Sequence, residues 1–132
     1  VYCAASIGTI QRMADEKIPV IGHVGLIPHF CTWTGGFKAV GKTAVSAWEL
    51  YERCRAYEAA GAFGVEIEVV PPEVTEEIAK KTSLFLVSMG GGVGGDCQYL
   101  FVHKGTYPSA PHLVSAPKHE MAEFRKKMRA SK

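Results

Sequence analysis

The chain has 132 residues, of which 47% are hydrophobic and 21% are charged, so it has enough apolar side chains for one packed domain, and wholesale disorder is excluded. No run of about eighteen apolar residues is present, which excludes a membrane-spanning helix. The net charge is +2, and residues 118–132 hold six basic and two acidic side chains. A nucleic-acid-binding fold carries basic residues across a whole surface, so a nucleic-acid partner is not expected.

The four cysteines are too widely spaced for a CxxC pair or a zinc-finger pattern. The first residues also lack the charged-then-apolar pattern of a secretory signal. We therefore expect reduced thiols in a cytoplasmic protein without a membrane partner. The chain does not begin with Met, so we expect it to be cut from a longer protein.

The first half of the chain predicts two helices separated by a strand and a long loop. Apolar residues at three- and four-residue spacing predict a helix over 6–16, and the β-branched run IPVIGHV predicts a buried strand over 18–24. A loop follows over 25–43, and loops of this length in compact domains are usually functional. Thr43 or Ser46 is expected to cap the next helix, which stops before residue 61.

The second half predicts two further strands, over 63–70 and 84–89, with a helix between them that begins near Pro72. A glycine-rich loop follows the second of these strands. We expect Asp96 to cap a short helix or to begin a turn.

The end of the chain is expected to be irregular over 104–117, where three prolines occur. A final amphipathic helix is predicted over 119–129. The alternation of strands and helices along the chain predicts βαβ units, and hence an α/β fold with a parallel sheet.

Polar residues occur near the carboxyl ends of the otherwise apolar strands, at His23, Glu66, Glu68 and Ser88. In parallel α/β folds, binding and catalytic sites are built at these strand ends. This coincidence is the main indication of function in the residues themselves.

Glu68 is the first candidate for catalysis. In VEIEVV, alternation is expected to put Glu66, Glu68 and Val70 on a face that lines a crevice or a barrel interior, with Val69 on the opposite face. A buried carboxylate is costly unless it is paired or used, and burial strengthens a carboxylate as a base for proton abstraction. The alternative is a structural carboxylate paired with Lys or Arg.

His23 is the second candidate, at the end of the first predicted strand. It could donate a hydrogen bond to a substrate oxygen. The alternative is a core histidine bonded to a backbone carbonyl, and the residues alone leave both readings open.

Four segments resemble the ketopantoate hydroxymethyltransferase family in order and spacing: IPVIGHVGLIP, TGGFKAVGK, YEAAGAFGVEIEVVPPEV and TSLFLVSMGGGVGGDCQYLF. They contain a G-H-x-G-L-x-P block, a G-G-F-K block and an E-x-V-P block, and the match covers about 7–101. Residues 105–114, GTYPSAPHLV, resemble the C-terminal tail of the same family.

This resemblance implies a (β/α)₈ barrel that transfers a hydroxymethyl group from 5,10-methylenetetrahydrofolate to 3-methyl-2-oxobutanoate, giving 2-dehydropantoate for pantothenate synthesis. It implies Mg²⁺ as the cofactor that holds the keto acid, and a keto acid and a folate as small-molecule partners. By motif, Glu68 matches the family's general base and His23 matches a histidine that contacts the keto acid.

The resemblance also has departures. The family's magnesium ligands come from earlier strands that would precede Val1, so we expect no metal site in this chain. After Phe101 the chain passes almost directly to the tail, where the family continues through another strand and helix. We therefore expect a truncated form, the C-terminal half of a (β/α)₈ barrel with three or four parallel strands, over 1–103, followed by an irregular tail with a basic amphipathic helix over 104–132. Assembly as a homo-oligomer or with other barrel segments is expected.

Two other functions stay open. One is a related carbon–carbon lyase acting on a small oxo acid, although the Lys-Lys-Cys-Gly motif usual in that group is absent from the sequence. The other is a non-catalytic half-barrel interaction module.

Overall fold

The computed structural model describes residues 1–32, 35–92, 94–99 and 116–131, with the backbone alone at 98 and 99. The described elements follow one another as helix α1 (Ile7–Asp15), strand β1 (Ile21–Gly25), a 3₁₀ turn (Pro28–Phe30), helix α2 (Ala44–Ala59), strand β2 (Gly64–Glu68), helix α3 (Pro72–Ala79), strands β3 (Phe85–Met89) and β4 (Cys97–Tyr99), and helix α4 (Lys118–Ala130).

The four strands form one parallel sheet in the order β1-β2-β3-β4. Residues Val1 to Cys3 add a short parallel pairing on the free edge of β1, through a bridge between Tyr2 and Ile21. Within the described residues the sheet is open, because β1 and β4 do not pair with each other. The predicted α/β fold, part of a (β/α) barrel, is confirmed.

Helix α2 begins where the sequence predicts. Thr43 and Ser46 form a reciprocal capping box, so both hydroxyls satisfy backbone N–H groups of the first turn. The helix packs along β1 and β2 and buries Ala47, Tyr51 and Cys54. Burial of this stripe anchors the segment that leads into β2.

Helix α4 packs against α2 and α3 and buries Met121, Phe124 and Met128 in the main core. Glu120 accepts a hydrogen bond of 2.5 Å from the backbone N–H of Ala44, at the first turn of α2. Helix α4 therefore shares the core with the sheet. The predicted boundary at 103/104 lies outside the described residues, as do most of the irregular segment over 104–117 and the tail motif over 105–114, and the division stays a prediction.

Two details of the sequence predictions are wrong. Asp96 does not cap a helix: its backbone N–H and its Oδ2 bond to Leu86 at 2.9 Å and 2.7 Å, and strand β4 follows it. Val70 does not share the face of Glu68, because Val69 has a φ of 49°. This left-handed residue breaks the alternation, so Val70 joins the hydrophobic core with Ile67. No described helix has the length and apolarity needed to cross a membrane.

Candidate active site

The parallel register brings three titratable side chains together at the carboxyl ends of β1 and β2. His23 pairs with Glu66, and Gly25 pairs with Glu68. His23 Nδ1 lies 3.8 Å from Glu66 Oε1, and His23 Nε2 lies 3.5 Å from Glu68 Oε2. His23, Glu66 and Glu68 are 2%, 8% and 2% exposed, so the cluster is shielded from water. Charge interactions are stronger in such a buried site than in water.

Hydrogen bonds assign the tautomer of His23. Nε2 lies 2.7 Å from the carbonyl oxygen of Leu26, which can only accept, so Nε2 carries the proton. Nδ1 of the neutral ring is then an acceptor, and it takes a hydrogen bond of 2.6 Å from the hydroxyl of Tyr2. Burial lowers the pKa of His23, against the opposing effects of the Leu26 carbonyl and the charge of Glu68. The ring is therefore neutral near pH 7.

Two glycines let the chain approach this cluster closely. A Cβ at Gly22 would lie 3.0 Å from the ring of Tyr57, and a Cβ at Gly25 would collide with the backbone oxygen of Glu68. Gly25 also has a φ of +94°, which L-residues rarely adopt. The same Glu68 oxygen accepts from the backbone N–H of Leu26 at 2.9 Å, so the loop after β1 is tied to the end of β2.

The end of β2 holds a strained residue beside Glu68. Val69 is β-branched and has a positive φ, a conformation that costs free energy. Its backbone N–H donates to Met89 at 2.8 Å, and its oxygen accepts from Val40 at 3.0 Å. These bonds hold the turn that ends the strand directly after Glu68.

The pKa of Glu66 differs from that of an exposed glutamate. Burial, and then the charge of Glu68, raise the pKa of Glu66 to about 7. Partial burial and the charges of Glu66 and Glu68 raise the pKa of Tyr2 to about 12, so the phenol stays protonated and keeps its bond to His23.

A cavity of about 300 Å³ lies beside His23, between the loop after β1 and helix α2. Its lining includes Gly25, Leu50, Arg53 and Tyr57 but not Glu68. The cavity therefore borders the cluster from the helix side and does not contain both candidate residues.

The same cluster is the place among the described residues where a cation could be considered, since ligand atoms of His23, Glu66 and Glu68 lie within 4.8 Å of one another. Mg²⁺ prefers near-octahedral oxygen ligands. The cluster offers an imidazole whose two nitrogens are already hydrogen-bonded, to Tyr2 and Leu26. These residues do not fit Mg²⁺, and the expectation that the chain has no magnesium site stays a prediction.

The structure brings His23, Glu66 and Glu68 together but places Ser88 elsewhere. Ser88 pairs with Ile67 and shares its face of the sheet, toward the glycine loop, where a Cβ on Gly91 would lie 3.2 Å from the hydroxyl. Sequence reasoning missed Tyr2, whose segment has no strand periodicity and reaches His23 only through the edge pairing with β1.

The fold and the cluster define a class of protein: a parallel α/β chain of barrel type with acid–base groups at the carboxyl ends of its strands. The family model described as "Ketopantoate hydroxymethyltransferase" matches residues 3–127. The chain therefore belongs to the ketopantoate hydroxymethyltransferase family.

Three curated relatives are each named 3-methyl-2-oxobutanoate hydroxymethyltransferase. The relative from Halalkalibacterium halodurans is 35% identical over 83% of this chain and 39% of its own length. The relative from Cenarchaeum symbiosum is 35% identical over 76% of this chain and 38% of its own length. The relative from Enterococcus faecalis is 41% identical over 69% of this chain and 33% of its own length. The chain thus spans less than two fifths of the length of these relatives.

Proposed function

We propose that this chain supplies the proton-abstracting strand of a hydroxymethyltransferase that acts on 3-methyl-2-oxobutanoate. Membership of the family supports the class of reaction, and the relatives' printed name supports the substrate. The observation that carries the proposal is the contact of 3.5 Å between Glu68 and His23, two side chains from adjacent strand ends that belong to two separate motifs of the sequence.

In this proposal Glu68 is the general base. Its carboxylate removes the proton on C3 of the bound oxo acid. Water cleaves the methylene bridge of 5,10-methylenetetrahydrofolate to give formaldehyde and tetrahydrofolate, the enolate carbon attacks the formaldehyde carbon, and protonation of the resulting alkoxide gives 2-dehydropantoate. A buried carboxylate at a strand end suits this step, because water does not compete for its lone pairs. No step is assigned to Mg²⁺, since Mg²⁺ prefers a near-octahedral set of oxygen ligands and the described cluster offers two carboxylates beside an imidazole whose nitrogens are both hydrogen-bonded.

His23 is proposed to bind the substrate. The neutral ring has one donor, Nε2–H, which lies 2.7 Å from the Leu26 oxygen and 3.5 Å from Glu68. An oxo acid with C3 beside Glu68 would place its carbonyl oxygen within reach of that donor, which it would share with Leu26. The hydroxyl of Tyr2 holds the ring in this tautomer.

The remaining proposals concern the setting of the reaction. Cys3, Cys54 and Cys97 are free thiols among the described residues, which supports a cytoplasmic location. A folate co-substrate and an oligomeric assembly follow from the resemblance and are proposed with it. The carbon–carbon lyase is not retained, because the family match and the relatives agree on the transferase.

Proton exchange at C3 tests the proposal without requiring the whole transfer. 3-methyl-2-oxobutanoate is incubated with the chain in D₂O, and loss of the C3 proton signal is followed by ¹H NMR. We expect exchange faster than in buffer alone. With 5,10-methylenetetrahydrofolate added we expect no 2-dehydropantoate, because the resemblance places other parts of the site on strands before Val1. Exchange no faster than in buffer would favour the non-catalytic interaction module.

A further inference from the structure

Two buried carboxyl groups share one histidine in this site. Glu66 and Glu68 are two residues apart on β2, so both point to the same face of the sheet. Their oxygens and the ring of His23 lie within 4.8 Å of one another. Two carboxylates held this close in a shielded site repel each other unless a proton or a cation neutralises one of them.

His23 does not supply that cation. Its Nε2–H donates to Leu26 and its Nδ1 accepts from Tyr2, so both nitrogens are satisfied in the neutral ring. A second proton on the ring would sit on Nδ1 and would remove the acceptor of the Tyr2 hydroxyl. His29, from the 3₁₀ turn, also disfavours a positive charge on His23.

Apart from Glu68, the groups that face Glu66 from the part of the chain that the structure describes are neutral. Its register neighbours in the sheet are His23 on β1 and Val87 on β3. The N-terminal segment contributes Tyr2, a protonated phenol. Glu68, on the same strand, is the negative charge that acts on Glu66.

We propose that Glu66 keeps a proton near neutral pH, which prevents two adjacent negative charges in the buried cluster, and that Glu66 is thereby a positioning residue for the base Glu68. The inference rests on the proposed function for its catalytic meaning. The proton on Glu66 keeps the pair at a single negative charge, which allows an anionic oxo acid to bind beside it. The raised pKa of Glu66 agrees with this arrangement.

The direct test is titration of the carboxyl groups in the free protein. Glutamate labelled with ¹³C at the carboxyl carbon is incorporated, and the carbon shifts are followed from pH 4 to pH 9 in the wild type and in Glu66→Gln. We expect one signal that titrates near pH 7 in the wild type and is absent from Glu66→Gln. Glu52→Gln, at an exposed position on α2, is the matched control and should keep that signal.

Glu68→Gln gives a second test that does not require Glu66→Gln to fold. Without the neighbouring charge, the Glu66 signal should still be present but should titrate at a lower pH. A wild type in which every glutamate titrates below about pH 6, or a signal near pH 7 that persists in Glu66→Gln, would overturn the proposal.

A kinetic measurement separates the positioning role from a structural one. As the pH rises above 7, the pair gains a second negative charge, so the apparent KM for the oxo acid in C3 exchange should rise about fivefold from pH 7 to pH 8 in the wild type. In Glu66→Gln the KM should be flat over that range. A wild-type KM that does not change between pH 7 and pH 8 would contradict the positioning role. The NMR titration uses no substrate, so its result does not depend on whether the proposed reaction is correct.

Discussion

At the scale of single residues, part of the candidate site could be predicted from the sequence. His23 and Glu68 are polar positions at the ends of apolar strands, which made them candidates, and the structure places their side chains 3.5 Å apart. Tyr2 could not be found in this way, because its contact with His23 depends on an edge pairing between segments 21 residues apart. The raised pKa of Glu66 depends on its burial and on the charge of Glu68, neither of which the periodicity of the sequence encodes.

The Glu66 carboxyl predicts how stability depends on pH. Its pKa is about 7 in the folded chain and near 4.5 when exposed, so the folded state binds more protons between these values. The free energy of unfolding should therefore fall as the pH rises from about 4.5 to about 7, by roughly 3 kcal/mol from this group. Above pH 7 the contribution is constant.

Chemical denaturation of the wild type and Glu66→Gln at pH 5 and pH 8 measures this effect. The lowered pKa of His23 acts in the opposite direction, on the acid side, but it is present in both proteins and cancels in the comparison. We expect Glu66→Gln to be relatively more stable at pH 8 than at pH 5. An equal difference between the two proteins at both pH values would show that Glu66 titrates normally.

At the scale of elements, local signals predicted some ends well and others poorly. The capping box at Thr43 and Ser46 located the start of α2, because both partners lie within four residues of sequence. Strand β4 was missed, because three residues after a glycine-rich loop show no alternation and the strand is held by the bonds of Asp96 to β3. The turn at Val69 was missed because a β-branched residue rarely has a positive φ.

Helix α1 offers a test of a strained helix end. Lys17 follows the C-cap of α1, is exposed and has a φ of 62°. Glycine adopts this conformation without a Cβ clash, so Lys17→Gly should raise the free energy of unfolding by about 1 kcal/mol. Lys80→Gly is the control, since Lys80 is the C-cap of α3 with a φ of −71°, where glycine should lower stability by about 0.5–1 kcal/mol. Urea denaturation measures the change in the free energy of unfolding for each variant. If both variants lost the same stability, the strain at Lys17 would be contradicted.

At the scale of the whole molecule, the described sheet is an open segment of a barrel, and the chain covers 33–39% of the length of the three relatives compared. The alternation of strands and helices predicted the parallel sheet. Three exposed apolar side chains lie at the amino ends of the strands: Ile18, Phe63 and Phe85 are 39%, 48% and 43% exposed. The periodicity of the sequence did not predict their exposure. Phe63 and Phe85 are adjacent, since the N–H of Phe85 donates to the oxygen of Phe63 at 2.9 Å.

This amino-end patch, formed by Ile18, Phe63 and Phe85, predicts self-association of the isolated chain, because clustered exposed apolar side chains favour contact between molecules. Phe85→Lys should lower the association measured by sedimentation velocity over a concentration series. Val45→Lys, at an exposed position on α2, should leave it unchanged. If the wild type and Phe85→Lys associated equally, the amino-end patch would not be the cause of the self-association.

The central claim, that Glu68 is the base, is tested most directly by comparing C3 proton exchange of 3-methyl-2-oxobutanoate in D₂O for the wild type, Glu68→Gln and the control Glu52→Gln. Glutamine keeps the shape of the side chain and removes its basicity. We predict that Glu68→Gln lowers the exchange rate above buffer by a factor on the order of 10²–10⁴, with oxo-acid binding largely kept, and that Glu52→Gln exchanges at the wild-type rate. Undiminished exchange in folded Glu68→Gln would contradict the assignment.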